Sequence, residues 1–173
     1  VVHRQRDVTV ADLHLRYSLE VRPGDRVFTT SKLFFAFALG HSLFGALRAG
    51  ATVLLYHGWP DARAVIEFVD REEPDFLFSV PAFYRNLLEA GAGEHHSFRN
   101  IRCCVSAGEQ LPVQLGERWH RATGVVILEG IGTSETVFLF IANTPARMRP
   151  GASGRPLPWA KTRLIDEHGN VLD

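Results

Sequence analysis

The sequence has 173 residues, of which 46% are hydrophobic and 22% are charged. These values are typical of a soluble globular α/β or α+β domain with a buried core. Nineteen basic residues balance nineteen acidic ones, so the charge indicates neither a nucleic-acid partner nor an anionic membrane surface. No apolar run approaches the roughly 20 residues that span a bilayer.

The first long apolar segment runs from Leu33 to Leu47 and interleaves aromatic residues with alanine and glycine. A helix that is apolar on most sides is expected to be buried in the core. Small residues between large ones are equally compatible with a pocket for a flat ligand. The sequence leaves these two interpretations open.

Strand-like and helix-like segments alternate beyond residue 50. Apolar runs predict strands at residues 53–56, 76–80, 101–105 and 125–128. Helices are predicted to begin at Asp61, a suitable N-cap, and at Pro81 and Pro112, which suit a first turn. Gly124 predicts the C-terminal cap of the last helix. This alternation predicts an α/β fold with a mostly parallel sheet flanked by helices.

The two cysteines, Cys103 and Cys104, are adjacent in the third predicted strand. Neighbouring residues of a strand point to opposite faces, so we expect two buried apolar thiols and no shared metal. A disulfide-stapled secreted fold is disfavoured, and a reducing cytoplasm is the expected compartment.

The last thirty residues have a different character. Residues 149–158 form a turn-rich connector, and residues 161–165 alternate like a strand before a turn at 166–170. A returning strand is expected to reach Asp173. We therefore expect two parts: an αβ subdomain at residues 1–150, and a connector with the truncated start of a β subdomain at residues 151–173.

Ligands of parallel α/β sheets bind at the carboxyl ends of the strands, which places residues 106–109 and 129–135 in the functional position. In the second segment, glycines allow close approach of a ligand and hydroxyl groups suit phosphate oxygens. Glu135 beside a phosphate would suit a divalent cation such as Mg²⁺. The pattern predicts a nucleotide-phosphate loop. The alternative is a glycine-rich turn whose Thr133 and Ser134 cap a following helix.

Other motifs fit less well. The dinucleotide fingerprint would need glycine in place of Glu135, and a nucleophile elbow would need glycine in place of Thr136. The eight histidines are scattered without a zinc-ligand spacing. His95 and His96 follow a glycine-rich stretch and are expected in a solvated loop.

Taken in order, the segments resemble the adenylate-forming superfamily of acyl-CoA synthetases, luciferases and adenylation domains. Residues 132–135, Gly-Thr-Ser-Glu, match the family's Tyr-Gly-x-Thr-Glu motif, with Ile131 replacing tyrosine and Ser134 replacing threonine. Residues 106–112 resemble the family's adenine-side loop, and residues 151–158 with 163–166 resemble the stretch toward the end of its large N-terminal domain. Residues 31–37, 106–109 and 130–132 are most similar to benzoate–CoA ligases.

The resemblance implies roles for individual residues. Ser134 would hydrogen-bond the α-phosphate of ATP and of the acyl-adenylate, and Glu135 would help to hold Mg²⁺. The nucleotide site would be formed by Gly108, Glu109, Gln110, Glu129, Gly130, Ile131, Gly132 and Thr133. Ala36 and Phe37 would wall the acyl pocket, with Phe138 near the reacting carboxylate.

Two positions depart from the benzoate–CoA ligase pattern, which tends to have tyrosine at the position of Phe37 and histidine at the position of Phe138. Both departures replace a polar group by an apolar ring. We therefore expect a bulkier, more apolar pocket and an aryl acid other than benzoate.

The implied function is part of an ATP-dependent ligase that activates an aromatic acid as its acyl-adenylate and transfers it to CoA. Its partners would be a small carboxylate, ATP and CoA, and a homodimer is compatible with the resemblance. The phosphate loop is expected before Val1, and a ribose-binding aspartate, a hinge and a lysine-bearing C-terminal domain after Asp173. The chain alone is therefore expected to be inactive. The alternatives are an adenylation domain that loads a carrier protein and a non-catalytic binding fragment.

Overall fold

The computed structural model describes residues 1–172, and the side chains of all of these except Thr9 and Ala11. Its main sheet has seven strands in the order β2-β1-β3-β4-β5-β6-β7, and a separate hairpin is formed by β8 and β9. The strands are β1 (Arg26–Thr29), β2 (Thr52–Leu54), β3 (Phe76–Ser79), β4 (Cys103–Ser106), β5 (Ile127–Gly132), β6 (Leu139–Ala142), β7 (Arg155–Pro156), β8 (Leu164–Ile165) and β9 (Val171–Leu172).

The first five strands are parallel to one another. β6 then pairs antiparallel with β5, and β7 pairs antiparallel with β6. The predicted α/β fold with a mostly parallel sheet is therefore confirmed. The antiparallel strand β6 was not predicted, and it proves central to the site.

Helices cover both faces of the sheet. The α-helices are α1 (Ala11–Leu13), α2 (Ala46–Arg48), α3 (Ala62–Glu72), α4 (Pro81–Glu89), α5 (His96–Asn100) and α6 (Val113–Thr123). Short 3₁₀ helices lie at Gln5–Val10 and Ala92–Glu94, and π-helical turns lie at His14–Ser18 and Ala38–Gly45.

The predicted helix boundaries have visible local causes. Asp61 Oδ1 accepts hydrogen bonds from the backbone N–H groups of Arg63 and Ala64, at 2.9 and 3.1 Å, and so caps α3. Pro81 occupies the first turn of α4. Gly124 ends α6 in the left-handed conformation, with φ of 77°. These three predictions are confirmed.

The sheet separates two apolar cores. One lies under α3, α4 and α6 and contains Phe28, Leu77 and Cys104, whereas the other contains Phe76 and Cys103. The adjacent cysteines thus point to opposite faces, as predicted, and both are free thiols. Burial raises the pKa of Cys103 to about 12, so this thiol is inert at neutral pH.

For the segment at residues 33–47 the sequence left core packing and a ligand pocket open, and the structure shows that its large residues are not uniformly buried. Phe34, Phe35 and Leu47 are 71%, 53% and 57% exposed. The buried side is formed by small residues such as Ala38 and Ala46. Phe37 and His41 also face the sheet, since both rings contact Phe78 of β3.

Two further expectations need correction. The edge strand β2 ends at Leu54, and Leu55 is 60% exposed, because only one face of an edge strand here is covered. His95 lies in the loop before α5 and is 38% exposed, as predicted, whereas His96 is exposed but begins α5. The ring of His95 contacts Asp70, with 2.6 Å between Nδ1 and Oδ2.

The predicted C-terminal hairpin is present as β8 and β9, although β8 begins at Leu164, three residues later than the alternation suggested. The part of this prediction that concerns Asp173 lies outside the described residues. None of the helices within residues 1–172 is long and apolar enough to cross a membrane.

Candidate active site

The site lies where β5 leaves the sheet and the chain turns back into β6. Glu129 and Gly130 were expected in a loop, but both belong to β5, which continues to Gly132. The reason is the antiparallel partner β6, whose Ala142 pairs with Gly130. The expectation that Thr133 and Ser134 cap a following helix is also wrong, since the segment after them enters a strand.

Hydrogen bonds within the turn at residues 133–137 fix its shape. The backbone N–H of Thr133 donates to Thr136 Oγ1 at 3.2 Å, and Thr136 Oγ1 donates to the Phe138 carbonyl at 2.8 Å. Val137 has a φ of 64°, a left-handed conformation that costs a β-branched residue about 1–3 kcal/mol. The strained turn presents Ser134 and Glu135 to solvent at its tip.

The carboxylate of Glu135 is well suited to a cation. A hydrogen bond from its own backbone N–H and one from the Thr133 side chain lower the pKa of Glu135, so it is ionised at neutral pH. The described residues contain no group of three or more acidic, histidine or cysteine side chains that could hold a metal. Mg²⁺ shared with substrate phosphates needs only one or two protein carboxylates, and Glu135 fits that requirement.

The N-terminal segment contacts the same turn. His3 Nε2 donates a hydrogen bond to the backbone carbonyl of Ser134, at 2.8 Å. His3 and Glu135 also border a cavity of about 490 Å³ between the N-terminal helical turns and residues 159–162. The turn is therefore fixed by its own hydrogen bonds and also by the hydrogen bond from His3.

A cavity of about 370 Å³ lies at the carboxyl ends of β4 and β5. Seven of the eight residues assigned by resemblance to nucleotide binding line it, and so does a residue not identified in the sequence. The lining residues are Gly108, Glu109, Gln110, Glu129, Gly130, Ile131, Gly132 and Ser153. The fold therefore brings the two sequence segments at 106–110 and 129–132 together.

The two carboxylates of this cavity are already engaged. Glu129 is buried, and its Oε1 accepts a hydrogen bond from Ser153 Oγ at 2.9 Å. Glu109 Oε1 accepts from the backbone N–H of Ala82 at 3.2 Å, at the start of α4. Both side chains position loops around the cavity, and their bonded oxygens present less free negative charge to a nucleotide.

A second cavity, of about 180 Å³, adjoins the first. It is lined by all three residues assigned to the acyl pocket, together with two of the three hydroxyl residues of the turn, Thr133 and Ser134. Its lining residues are Phe35, Ala36, Phe37, His41, Ala107, Gly108, Gly132, Thr133, Ser134, Val137, Phe138 and Leu139. A cavity of about 150 Å³ is enough to hold benzene, so a single aromatic ring fits here.

His41 is the lining residue that the sequence reasoning missed. Its ring is fully buried among aromatic rings, with centroid distances of 5.4 Å to Phe37, 5.6 Å to Phe78 and 6.3 Å to Phe138. Burial lowers its pKa to about 4. A signal was present, because His41 follows Phe37 by four residues and so shares its helical face.

Two adjoining cavities, one bordered by glycines and one by aromatic rings, thus lie at the carboxyl edge of the mostly parallel sheet. The chain belongs to the AMP-binding enzyme family, whose model matches residues 1–173.

Several individual relatives of this chain are named as CoA ligases of aromatic acids. The chain is 52% identical over 172 residues to a 3-hydroxybenzoate–CoA/4-hydroxybenzoate–CoA ligase of Thauera aromatica, covering 99% of this chain and 33% of the relative. A benzoate–CoA ligase structure from Burkholderia xenovorans LB400 matches 99% of this chain and 35% of its own, with a TM-score of 0.91 and 35% identity.

An anthranilate–CoA ligase, AuaEII, in complex with anthranoyl-AMP matches 96% of this chain and 32% of its own, with a TM-score of 0.90 and 34% identity. The chain thus spans about a third of the length of the relatives that it matches.

Proposed function

We propose that this chain forms part of an ATP-dependent aryl-carboxylate–CoA ligase. One observation carries the proposal: a glycine-lined cavity sized for a nucleotide and an aromatic cavity sized for one ring share Gly108 and Gly132. An acid in one cavity and ATP in the other would therefore meet at their common border. Relatives named as ligases of benzoate, hydroxybenzoates and anthranilate support the aromatic substrate class.

The reaction has two steps. A carboxylate oxygen of the acid attacks the α-phosphorus of ATP, the bond to the bridging oxygen breaks, and pyrophosphate leaves. The thiolate sulfur of CoA then attacks the acyl carbon of the adenylate, and AMP leaves. Both steps depend on alignment and on neutralisation of phosphate charge.

The residues of the turn would serve the first step. The Ser134 hydroxyl would donate to an α-phosphate oxygen, and the ionised Glu135 would bind Mg²⁺, which neutralises phosphate charge when bound. The strained turn that holds these side chains places them without further rearrangement. Phe37 and Phe138 would hold the ring of the acid and exclude water from the mixed anhydride.

The wider assignments belong to the same proposal. The acceptor of the acyl group is CoA, and a carrier-protein thiol is the alternative acceptor. A purely binding, non-catalytic role is the alternative function. A cytoplasmic enzyme and a homodimer remain predictions. The separate β8–β9 hairpin supports a new subdomain after residue 150, although β7 at Arg155–Pro156 still belongs to the main sheet.

The proposal is tested on the full gene product by pyrophosphate release with ATP, CoA and a panel of carboxylates. The panel includes benzoate, hydroxy- and aminobenzoates, cinnamates, cyclohexane acids and short fatty acids. Selective turnover of an aryl acid is expected, and Glu135→Ala should lower it by about 100-fold, the usual effect of losing one charge-stabilising group.

Glu89→Ala is the matched control, because Glu89 is an exposed glutamate of α4. It should leave the rate unchanged. Preference for an aliphatic acid would contradict the aromatic substrate class. A folded full-length protein that turns over no acid with CoA would favour carrier loading or a binding role.

A further inference from the structure

His41, which lines the smaller cavity (called the acyl cavity from here on), carries a polar atom without a partner. His41 Nε2 is buried, and none of the described residues forms a hydrogen bond with it. The other walls near it are the rings of Phe37 and Phe138. A buried polar atom left unpaired in apolar surroundings is unfavourable, so its presence at a ligand cavity calls for a ligand atom.

The hydrogen-bonding role of this atom follows from its ring partner. His41 Nδ1 lies 3.2 Å from the carbonyl oxygen of Phe37. A carbonyl oxygen can only accept, so Nδ1 carries the hydrogen. Burial lowers the pKa of His41 to about 4, and the ring is therefore neutral at physiological pH. In this tautomer Nε2 has a lone pair and no hydrogen, so it can only accept a hydrogen bond.

A second buried histidine provides an internal comparison. The ring of His14 meets that of His41 edge-on, with 5.4 Å between centroids, and it is 1% exposed. Its two nitrogens also lack partners among the described residues. His14, however, is not among the residues that line the acyl cavity. A ligand in that cavity would meet His41 and not His14.

We propose that His41 Nε2 accepts a hydrogen bond from a hydroxyl or amino group on the aromatic ring of the substrate. The natural substrates are then hydroxy- or amino-substituted aryl acids, and benzoate, which offers no donor, leaves Nε2 unpaired. This inference rests on the proposed function, since it assumes that the cavity holds the acid.

The arrangement of the cavity supports this assignment. Thr133 and Ser134 border it beside the nucleotide cavity, and His41 belongs to the helical segment at its apolar wall. An acid whose carboxylate lies at Ser134 directs its ring toward the aromatic wall. The apolar replacements at Phe37 and Phe138 leave the His41 imidazole as the buried acceptor beside the rings. His41 would thus determine specificity without taking part in bond making.

The test compares kcat/KM of the full gene product for 3-hydroxybenzoate, 4-hydroxybenzoate, an aminobenzoate and benzoate. His41→Leu should lower the ratio of the preferred substituted acid to benzoate by about tenfold, the effect of losing one buried hydrogen bond. His41→Gln, whose amide oxygen can accept, should recover part of that ratio. If His41→Leu does not fold, His41→Met fills a similar volume with a flexible apolar side chain and carries the same measurement.

His14→Leu is the matched control, because it removes a neighbouring buried imidazole that does not line the cavity. It should leave the ratio unchanged. An unchanged ratio in His41→Leu, or an equal change in His14→Leu, would overturn the role of His41 while aryl-acid turnover still supported the ligase. Failure of the wild-type protein to turn over any aryl acid would overturn both proposals.

Discussion

Acidification should destabilise the folded chain through its two buried imidazoles. Burial lowers the pKa of His41 from 6.5 to about 4 and that of His14 in the same direction. In the unfolded chain both rings would bind a proton near their usual pKa. Between pH 6.5 and pH 4 the unfolded state thus binds more protons than the folded one, and stability falls as the pH is lowered. Above pH 6.5 both rings are neutral in the folded and the unfolded state, so this loss of stability is absent.

The expected size is a large part of the stability of a domain. One pKa unit corresponds to about 1.4 kcal/mol, so the shift of His41 is worth about 3 kcal/mol by pH 4. His14 adds to the loss with the same sign. Small domains are stable by only about 5–15 kcal/mol, so the two rings should make the fold acid-sensitive well above the pH at which most carboxylates protonate.

Urea denaturation at intervals between pH 7.5 and pH 4.5 measures this effect. The free energy of unfolding should be nearly constant above pH 6.5 and should then fall with a slope approaching about 1.4 kcal/mol per pH unit for each ring. His41→Leu and His14→Leu should each reduce the pH slope of the free energy of unfolding by the contribution of one ring, about 1.4 kcal/mol per pH unit at most. A wild-type slope between pH 6 and pH 5 equal to that of the double variant would refute the reasoning.

Four further substitutions test the fold. Gly154→Ala should cost more than about 3 kcal/mol of stability, because φ is 106° and a Cβ would lie 1.9 Å from the Ala142 carbonyl carbon. Gly124→Ala should cost only about 1 kcal/mol, because φ is positive there but a Cβ would meet no atom within 4 Å. The midpoints of urea denaturation should distinguish the two variants. Asp61→Ala removes the cap of α3 and should cost about 1 kcal/mol, measured as faster amide exchange in that helix. Tyr84→Phe removes a hydroxyl that donates to buried carbonyls and should lower Tm by an amount equivalent to about 1 kcal/mol.

The parallel part of the fold could be predicted because its signals are local. The N-cap at Asp61, the first-turn position of Pro81 and the left-handed cap at Gly124 each depend on the geometry of one turn. Short apolar runs that lie between these helix boundaries are then best assigned as buried strands. β6 was missed although residues 137–142 form an apolar run. The segment before it was interpreted as a ligand-binding loop and not as the turn of a β5–β6 hairpin.

The orientation of residues 33–47 could not be predicted for a different reason. A helix that is apolar on nearly all sides carries no pattern that distinguishes the inner face from the outer one. The face that packs on the sheet is set by close approach of the helical backbone, which favours the small residues Ala38 and Ala46 on the buried face. The burial of His41 depends on the same tertiary choice.

The grouping of the candidate site residues could be predicted from their position at strand ends, and their chemical roles stay predictions. The residues at 108–110 and 129–132 lie together because strand ends of a parallel sheet meet at one edge. Ser153 was missed because it lies in a connector that gives no hint of its hydrogen bond with the buried carboxylate of Glu129.

The shared border of the two cavities bears on the design of inhibitors. Gly108 and Gly132 line both cavities, and a Cβ added at residue 132 would lie 2.8 Å from the Phe138 carbonyl oxygen. The passage is therefore framed by backbone. A compound that joins an adenosine analogue to an aromatic head should cross it through a short, unbranched linker, whereas branching at the linker should abolish binding.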